Sequence, residues 1–297
     1  AEPPEQPREF ERAGWHFEAD IRPLWGTDAI DKLTTEKKLC KVPDMYCGDA
    51  ALRISHAASG FTLELATNDA LACCQWCPQP AASIQPPRTN GEPADGPLLG
   101  NVRCQFADQW KPLSHNPDVK ELEVTSDWTC FTPYWGSIFG VGVDGGRVPL
   151  PGLVEETDEQ LPMDLLRQRD EIHWYNEVLF WEHELDDTGL CRTSVRVRVM
   201  PSFWFALVLC EMRVDNVMFR EVATRFFCKN GSDQVLREWT WKEASYEALR
   251  ARGADLSVEN PQISGESIGT ALLEQVDVKR QLRHVIKLRG GGGAAAY

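Results

Sequence analysis

One stretch constrains the fold more than any other: "SVRVRVMPSFWFALVLCEMRVD", which runs from Ser194 to Asp215. Its first half alternates valine with arginine, and residues two apart lie on the same face of a strand. We therefore predict that Arg196 and Arg198 point outward while the valines beside them point into a core. The second half, from Phe203 to Cys210, is apolar at every position, as in a central strand covered on both faces.

The same stretch predicts how the chain continues. Met200-Pro201-Ser202 turns the chain, so the two halves form a hairpin. The apolar run stops at Glu211, and a membrane-spanning helix needs roughly 20 apolar residues, so a membrane anchor is excluded. Residues Arg213–Arg220 are predicted to form a third strand, with Asp215-Asn216 at a turn.

Other segments carry hairpin or helix patterns. Ala51–His56 and Phe61–Thr67 alternate on either side of Ala-Ala-Ser-Gly, and Asn230-Gly231 between two apolar runs is a strong hairpin signal. Apolar residues near helical spacing predict helices over Leu161–Leu185 and over Lys242–Arg252. Strand hairpins with a few separate helices predict an α+β fold with a mainly antiparallel β-sheet core and flanking helices.

At 297 residues the chain can hold one large domain or two small ones, and we predict a single domain over residues 8–289. The acidic, proline-rich residues 1–7 are predicted to be a disordered arm, and the low-complexity residues 290–297 a flexible tail. Residues 78–99 contain too much proline and glycine for a helix or strand. They are therefore predicted to form an inserted surface loop.

The net charge of −14 argues against nucleic-acid binding, because phosphate contacts need clustered lysine and arginine. The N-terminus has no apolar signal core, so secretion is not expected, and the ten cysteines are expected to be reduced thiols. We expect a cytoplasmic location, with the nucleus as a second one.

Three motifs that suggest catalysis are better explained otherwise. Gly140–Gly145 matches a dinucleotide fingerprint, but Pro149 and Pro151 follow where that motif needs a helix. Glu182–Asp187 contains one histidine and lacks the second that a metalloprotease helix needs. Cys74–Cys77 is a CxxC motif with no second CxxC to complete a zinc site. We predict no catalytic site, no metal and no cofactor.

The outward arginines have two interpretations from the residues alone. They can be an ordinary solvated sheet face. They can also be a local basic platform on an acidic protein, suited to a carboxylate or an acidic peptide tail.

Several blocks of sequence occur in a characteristic order. They are "GDAALRISH", "DALACC", "DWTCFTPYWGSIFG", "EVLFWEHELDDTG" and "SVRVRVMPSFWFALVLCEMRVD", followed by "TRFF" and "LREWT". Together they resemble the TIPRL family, the TOR-signalling regulators that bind type 2A protein phosphatases. The resemblance runs from about Arg8 to about Ile268, apart from the insert at 78–99.

The resemblance implies a regulator without enzymatic activity. Family members bind the catalytic subunits of type 2A, 4 and 6 phosphatases and inhibit or remodel them. A cleft on the antiparallel-sheet fold accepts the C-terminal tail of the phosphatase. We therefore expect a phosphatase regulator that captures this tail on a basic sheet face.

The resemblance also implies site residues. Arg196, Arg198 and Arg225 fall where the family lines its cleft with basic residues. Asp69, in the "DAL" block, and Leu161, near the start of the predicted long helix, fall at phosphatase-contact positions. The complete set of candidate partner-binding residues is Asp69, Leu161, Arg196, Arg198, Arg220 and Arg225.

Two departures from the family pattern leave alternatives open. Ala223 stands where the family usually has an aspartate, and Glu221 stands where an apolar residue is common. The alternative function is a structural or scaffold subunit of a larger assembly that keeps the fold but not phosphatase binding. A second rival is a metal-dependent enzyme using Cys74, Cys77 and the Glu182–Asp187 cluster.

Overall fold

The computed structural model describes residues 7–37, 42–73, 102–104, 126–128, 133–141, 147–149, 153–185, 189–257, 259–264 and 268–288. Several sequence predictions lie outside this part of the chain. They concern Cys74 and Cys77, the insert at 78–99, most of the glycine-rich motif, and nearly all of the two terminal segments. The domain boundaries therefore stay a prediction.

The described residues form sixteen strands and six α-helices. The strands are β1 (Arg8–Arg12), β2 (Trp15–Asp20), β3 (Met45–Tyr46), β4 (Ala51–His56), β5 (Phe61–Ala66), β6 (Val102–Cys104), β7 (Ser126–Trp128), β8 (Ser137–Val141), β9 (Arg147–Pro149), β10 (Val154–Glu156), β11 (Trp174–His183), β12 (Gly189–Val199), β13 (Phe203–Val214), β14 (Met218–Lys229), β15 (Gln234–Ser245) and β16 (Val278–Lys287). The helices are α1 (Thr27–Lys37), α2 (Thr67–Ala72), α3 (Met163–Leu166), α4 (Tyr246–Ala251), α5 (Pro261–Ser264) and α6 (Thr270–Leu273).

The strands form two large antiparallel sheets and a small ribbon. One sheet has six strands in the order β1-β2-β4-β5-β8-β9, and the ribbon pairs β6 with β7. The other sheet has eight strands in the order β10-β16-β15-β14-β13-β12-β11-β3. Every strand pair is antiparallel, which confirms the predicted α+β class with a mainly antiparallel core.

The two large sheets pack face to face around a shared apolar core. Trp204 of β13 contacts Trp15 and Phe17 of β2, with ring centroids 5.0 and 6.1 Å apart. Val197 and Trp239, also in the core, are 1% and 0% exposed. Burying a side chain of this kind stabilises the fold by about 1.5–3 kcal/mol, so this interface holds the eight-stranded sheet in place.

The hairpin at the centre of the large sheet is confirmed. β12 and β13 pair along their whole length, and the connection falls at the predicted Met200-Pro201-Ser202 turn. Val195, Val197 and Val199 face the core and are at most 1% exposed. The β4–β5 hairpin and the turn at Asn230-Gly231 are also confirmed, and Gly231 has the positive φ that such a turn needs.

The predicted helix over Leu161–Leu185 is wrong. Only α3, four residues long, is helical there, and β11 occupies most of the second half. In β11 the residues alternate between core and surface, with Val178 and Phe180 buried at 1% and 0%. Ile172 and Tyr175, which supplied the helical spacing, are about half exposed. This segment forms a strand rather than a helix because it pairs with β12 on one side and β3 on the other.

Two further elements differ from their predicted bounds. β15 continues to Ser245, so α4 begins four residues later than Lys242. The Ser245 hydroxyl accepts a hydrogen bond from the Ala248 amide at 3.1 Å, which caps the helix. The third strand over Arg213–Arg220 is wrong because the turn at Asp215-Asn216, itself correctly predicted, divides that segment between β13 and β14.

Candidate partner-binding face

The cations of the central strands share one face of the eight-stranded sheet. Pairing across the sheet places Arg196 beside Leu207, Leu207 beside Arg225, and Arg225 beside Glu238, so all four residues point to the same side. This side is opposite the valines that fill the core. We call it the arginine face, and its cations include Arg192, Arg196, Arg198, Arg213, Arg225, Lys242 and Arg283.

The arginine face is a charged band between two apolar clusters. On β14 the outward residues run from Phe219 through Glu221, Ala223 and Arg225 to Phe227. Phe227 belongs to a cluster that includes residues of α3, and Phe219 to one that includes residues of α4 to α6. Glu221 and Arg225 are four positions apart along the strand, so the band is about 13 Å across. This width suits an extended peptide lying between the two clusters.

Glutamates lie among the cations, and no local sequence pattern groups most of them with the arginines. Arg196 is 3.1 Å from Glu177 of β11, and Arg283 is 3.0 Å from Glu238 of β15. The carboxylates on this face are Glu177, Glu182, Glu211, Glu221 and Glu238. The face is therefore a network of ion pairs rather than an uncompensated basic platform.

Arg225 lies at the centre of this network. Its guanidinium donates to the Thr240 hydroxyl and to Glu221, the latter at 3.1 Å, and lies 3.9 Å from Glu238. Ala223, on the same strand, is completely buried and contributes no polar group. Glu221, two residues earlier on the same face, is the carboxylate of this strand that pairs with Arg225.

Arg198 is tied to the rest of the fold more firmly than Arg196. Its guanidinium donates to the Leu166 carbonyl of α3 at 2.7 Å and lies 5.3 Å from the Phe205 ring centroid. Burial lowers the pKa of Arg198. This arginine therefore fastens α3 to the sheet in addition to any contact with a ligand.

The remaining predicted site residues lie elsewhere. Arg220 points from β14 to the opposite face, where its side chain is 2% exposed and pairs with Glu243 at 2.7 Å. Leu161 is 6% exposed and packs in the apolar cluster that contains Phe227. Asp69 lies on α2, after a strand of the six-stranded sheet, and accepts a hydrogen bond from Ser137 at 3.0 Å. Only Arg196, Arg198 and Arg225 of the predicted set are brought together.

The edge of the sheet beside Arg283 contains an open cavity. It is lined by Glu156, Thr157 and Asp158 on one side and by residues 281–284 of β16 on the other, with a volume of about 550 Å³. Arg283 and Gln281 belong to both the cavity and the arginine face. The charged band thus continues into a groove at the edge of the sheet.

His183 and Glu182, two residues of the metal-site alternative, point in different directions. His183 is 1% exposed and hydrogen-bonds to Asp44, whereas Glu182 points to the arginine face beside Arg192. Among the described residues no group of three or more histidine, cysteine or carboxylate side chains is arranged to hold a metal ion. In that same part of the chain, no helix is long and apolar enough to span a membrane.

Comparison with known families gives the identity of the fold. A model described as the TIP41-like family matches residues 45–250, a range that includes Arg196, Arg198 and Arg225. The chain belongs to the TIP41-like family. The resemblance seen in the sequence blocks is thereby confirmed.

Individual TIP41-like relatives match most of the chain. The TIP41-like protein of Homo sapiens is 29% identical over 258 residues, which span 86% of this chain and 84% of that protein. The TIP41-like protein of Arabidopsis thaliana is 30% identical, over 82% of this chain and 81% of that protein. A Saccharomyces cerevisiae protein named type 2A phosphatase activator TIP41 is 24% identical, over 80% of this chain and 63% of that protein.

Proposed function

We propose that this TIP41-like chain regulates type 2A-family protein phosphatases by binding their catalytic subunits, and that it acts without catalysis of its own. The observation that carries the proposal is that relatives from two yeasts are named type 2A phosphatase activators. The family match over residues 45–250 supports the extension to this chain.

We further propose that the arginine face captures the C-terminal tail of the phosphatase. The band of cations is wide enough for one extended peptide, and apolar clusters border it on both sides. The cation side chains that form ion pairs there are between 17% and 31% exposed, so a ligand can reach them. Arginine also binds carboxylates in a bidentate geometry.

A tail carboxylate has to compete with glutamates that already hold these cations. The Glu177 side chain, 29% exposed, is the most accessible of them and pairs with both Arg192 and Arg196. Exposed ion pairs contribute only about 0–1 kcal/mol, so exchange of Glu177 for a ligand carboxylate costs little. Glu221 and Glu238 are more buried, and we expect them to stay paired and to fix the position of Arg225.

Affinity capture tests the proposal. The purified chain is immobilised and exposed to catalytic subunits of type 2A, 4 and 6 phosphatases, alone and with competing C-terminal tail peptide. We expect at least one subunit to bind, and the peptide to reduce that binding. Arg196→Glu should abolish peptide competition, whereas Lys32→Glu makes the same charge change on α1 and should not. Binding of no catalytic subunit would refute the proposed function.

The second candidate function is the scaffold subunit, and the ion-pair network favours it. If the glutamates exist to neutralise the cations, the face is a stable surface rather than a ligand site. Capture of partners that include no phosphatase catalytic subunit would support this alternative.

The cellular setting is part of the proposal. We place the activity in TOR signalling and in the cytoplasm, with the nucleus as a second location. Microscopy of the tagged chain tests the location. Loss of the chain that leaves phosphorylation of TOR-pathway substrates unchanged would contradict the signalling role.

A further inference from the structure

Two buried glutamates lie side by side on the arginine face. Glu211 of β13 and Glu221 of β14 are direct partners across the strand pair, so their β-carbons are about 4.5–5.5 Å apart. They are 5% and 4% exposed. They belong to a row of residues paired across four strands, in which Arg192 lies beside Glu211 and Lys242 lies beside Glu221.

The cations of this row turn away from Glu211. Lys242 is 3.4 Å from Glu221, which also holds Arg225. Arg192 is 3.5 Å from Glu177 and 3.8 Å from Glu182, on the side away from β13. No hydrogen bond or ion pair joins the Glu211 carboxylate to another residue in the part of the chain that the structure describes.

The surroundings of Glu211 disfavour its ionised form. Burial, with the like charges of Glu221 and Cys210, raises the pKa of this carboxyl to about 7, although Arg196 and Arg192 act in the opposite direction. Arg213, two residues along β13, pairs with Asp215 instead. The charged groups that face Glu211 are Arg192 and Arg196 on β12, Glu221 on β14 and Arg213 on its own strand, with Glu182 and Lys242 one strand farther away.

We propose that Glu211 is a ligand-specificity residue: the arginine face accepts a carboxylate ligand only while the Glu211 carboxyl is protonated. This inference rests on the proposed tail capture and adds the residue, and its protonation state, that control the capture. Neutral Glu211 removes one negative charge from the face and donates an O–H hydrogen bond. In the complex the acceptor of that hydrogen bond is the ligand carboxylate.

The proton comes from solvent and stays on a Glu211 oxygen; no covalent bond to the ligand forms. Binding therefore favours the protonated form, and affinity falls once the pH exceeds the pKa of the free protein. For one proton and a pKa of about 7, the affinity should fall about tenfold between pH 6 and pH 8.

The test measures the affinity of a type 2A catalytic-subunit tail peptide by calorimetry at pH 6 and pH 8. Glu211→Gln keeps the shape and a hydrogen-bond donor but cannot ionise. We expect the wild-type protein to lose about tenfold in affinity and Glu211→Gln to lose almost none. Calorimetry in buffers with different ionisation enthalpies should show proton uptake by the wild type at pH 8 and not by the variant.

Glu177→Gln is the matched control on the same face. It removes a glutamate that competes with the ligand, so its affinity should rise at both pH values while the tenfold pH dependence remains. Equal pH dependence in wild type and Glu211→Gln would overturn the role of Glu211 but leave tail capture intact. A peptide that binds neither protein at either pH would overturn both.

Discussion

Arg196 and Arg198 occupy the same face of β12 two residues apart, yet the structure assigns them different contributions to stability. In Arg198→Ala, the fold loses a charge-assisted hydrogen bond to the Leu166 carbonyl, which contributes about 1.5–3 kcal/mol. It also loses cation–π contacts with Phe203 and Phe205, which contribute about 0.5–1 kcal/mol. We expect a total loss of about 3 kcal/mol.

Arg196→Ala is the matched comparison. Arg196 has one partly exposed ion pair with Glu177, so its removal should cost at most about 1 kcal/mol. Urea unfolding followed by tryptophan fluorescence measures both losses. The Arg198→Ala midpoint should fall by about 1 M or more, and the Arg196→Ala midpoint by a few tenths. Hydrogen exchange of α3 amides should rise only in Arg198→Ala.

Equal losses of stability in the two variants would refute this reasoning. So would unchanged protection of α3 in Arg198→Ala, because the fastening of α3 is the physical basis of the difference. The comparison also has a practical consequence. Arg196 is a better position than Arg198 or Arg225 for testing ligand binding, since a charge reversal at either of the other two removes contacts that hold the fold.

Further predictions concern stability and binding. Burial raises the pKa of Glu211 to about 7, so the folded state favours the neutral carboxyl. The resulting contribution to stability is complete below the ordinary pKa of a glutamate and is lost as the pH rises through about 7. Between about pH 4.5 and 8 the wild type should lose roughly 3 kcal/mol of unfolding free energy that Glu211→Gln retains, and parallel urea-unfolding curves would contradict this. Trp204→Ala removes a core ring that is 1% exposed and should cost about 3–5 kcal/mol of unfolding free energy, measured by denaturation. Leu24 is 52% exposed, so Leu24→Ala should change the unfolding free energy by less than about 0.5 kcal/mol. Similar losses in the two variants would refute the assigned core. Gly231→Ala places a β-carbon at φ +77° and should cost about 1 kcal/mol, again by denaturation, and an unchanged stability would contradict the turn geometry.

The sequence was sufficient for those parts of the fold that depend on local pattern. Alternation in β12, the apolar run in β13 and Asn230-Gly231 each predicted a feature that the structure confirms. The helix over Leu161–Leu185 could not be excluded in this way, because its apolar spacing fits both periods. Only the pairing of β11 with β12 and β3, which joins distant parts of the chain, decides for the strand.

The candidate site was predictable only in part for the same reason. Arg196 and Arg198 share a face within one strand, so the alternation alone groups them. Glu177 and Glu238 lie on other strands, and their proximity to the arginines depends on register that no local pattern gives. Arg220 and Arg225 are five residues apart on β14, so they lie on opposite faces and Arg220 does not join the arginine face.

The central claim is that the arginine face holds the tail of a phosphatase catalytic subunit. Its most direct test is the affinity of the purified chain for a type 2A catalytic subunit with and without its C-terminal tail. We predict that deleting the tail weakens binding to wild type, and that Arg196→Glu weakens binding of the intact subunit with no further effect of the deletion. Equal affinity of wild type for the intact and tail-deleted subunits would contradict the claim.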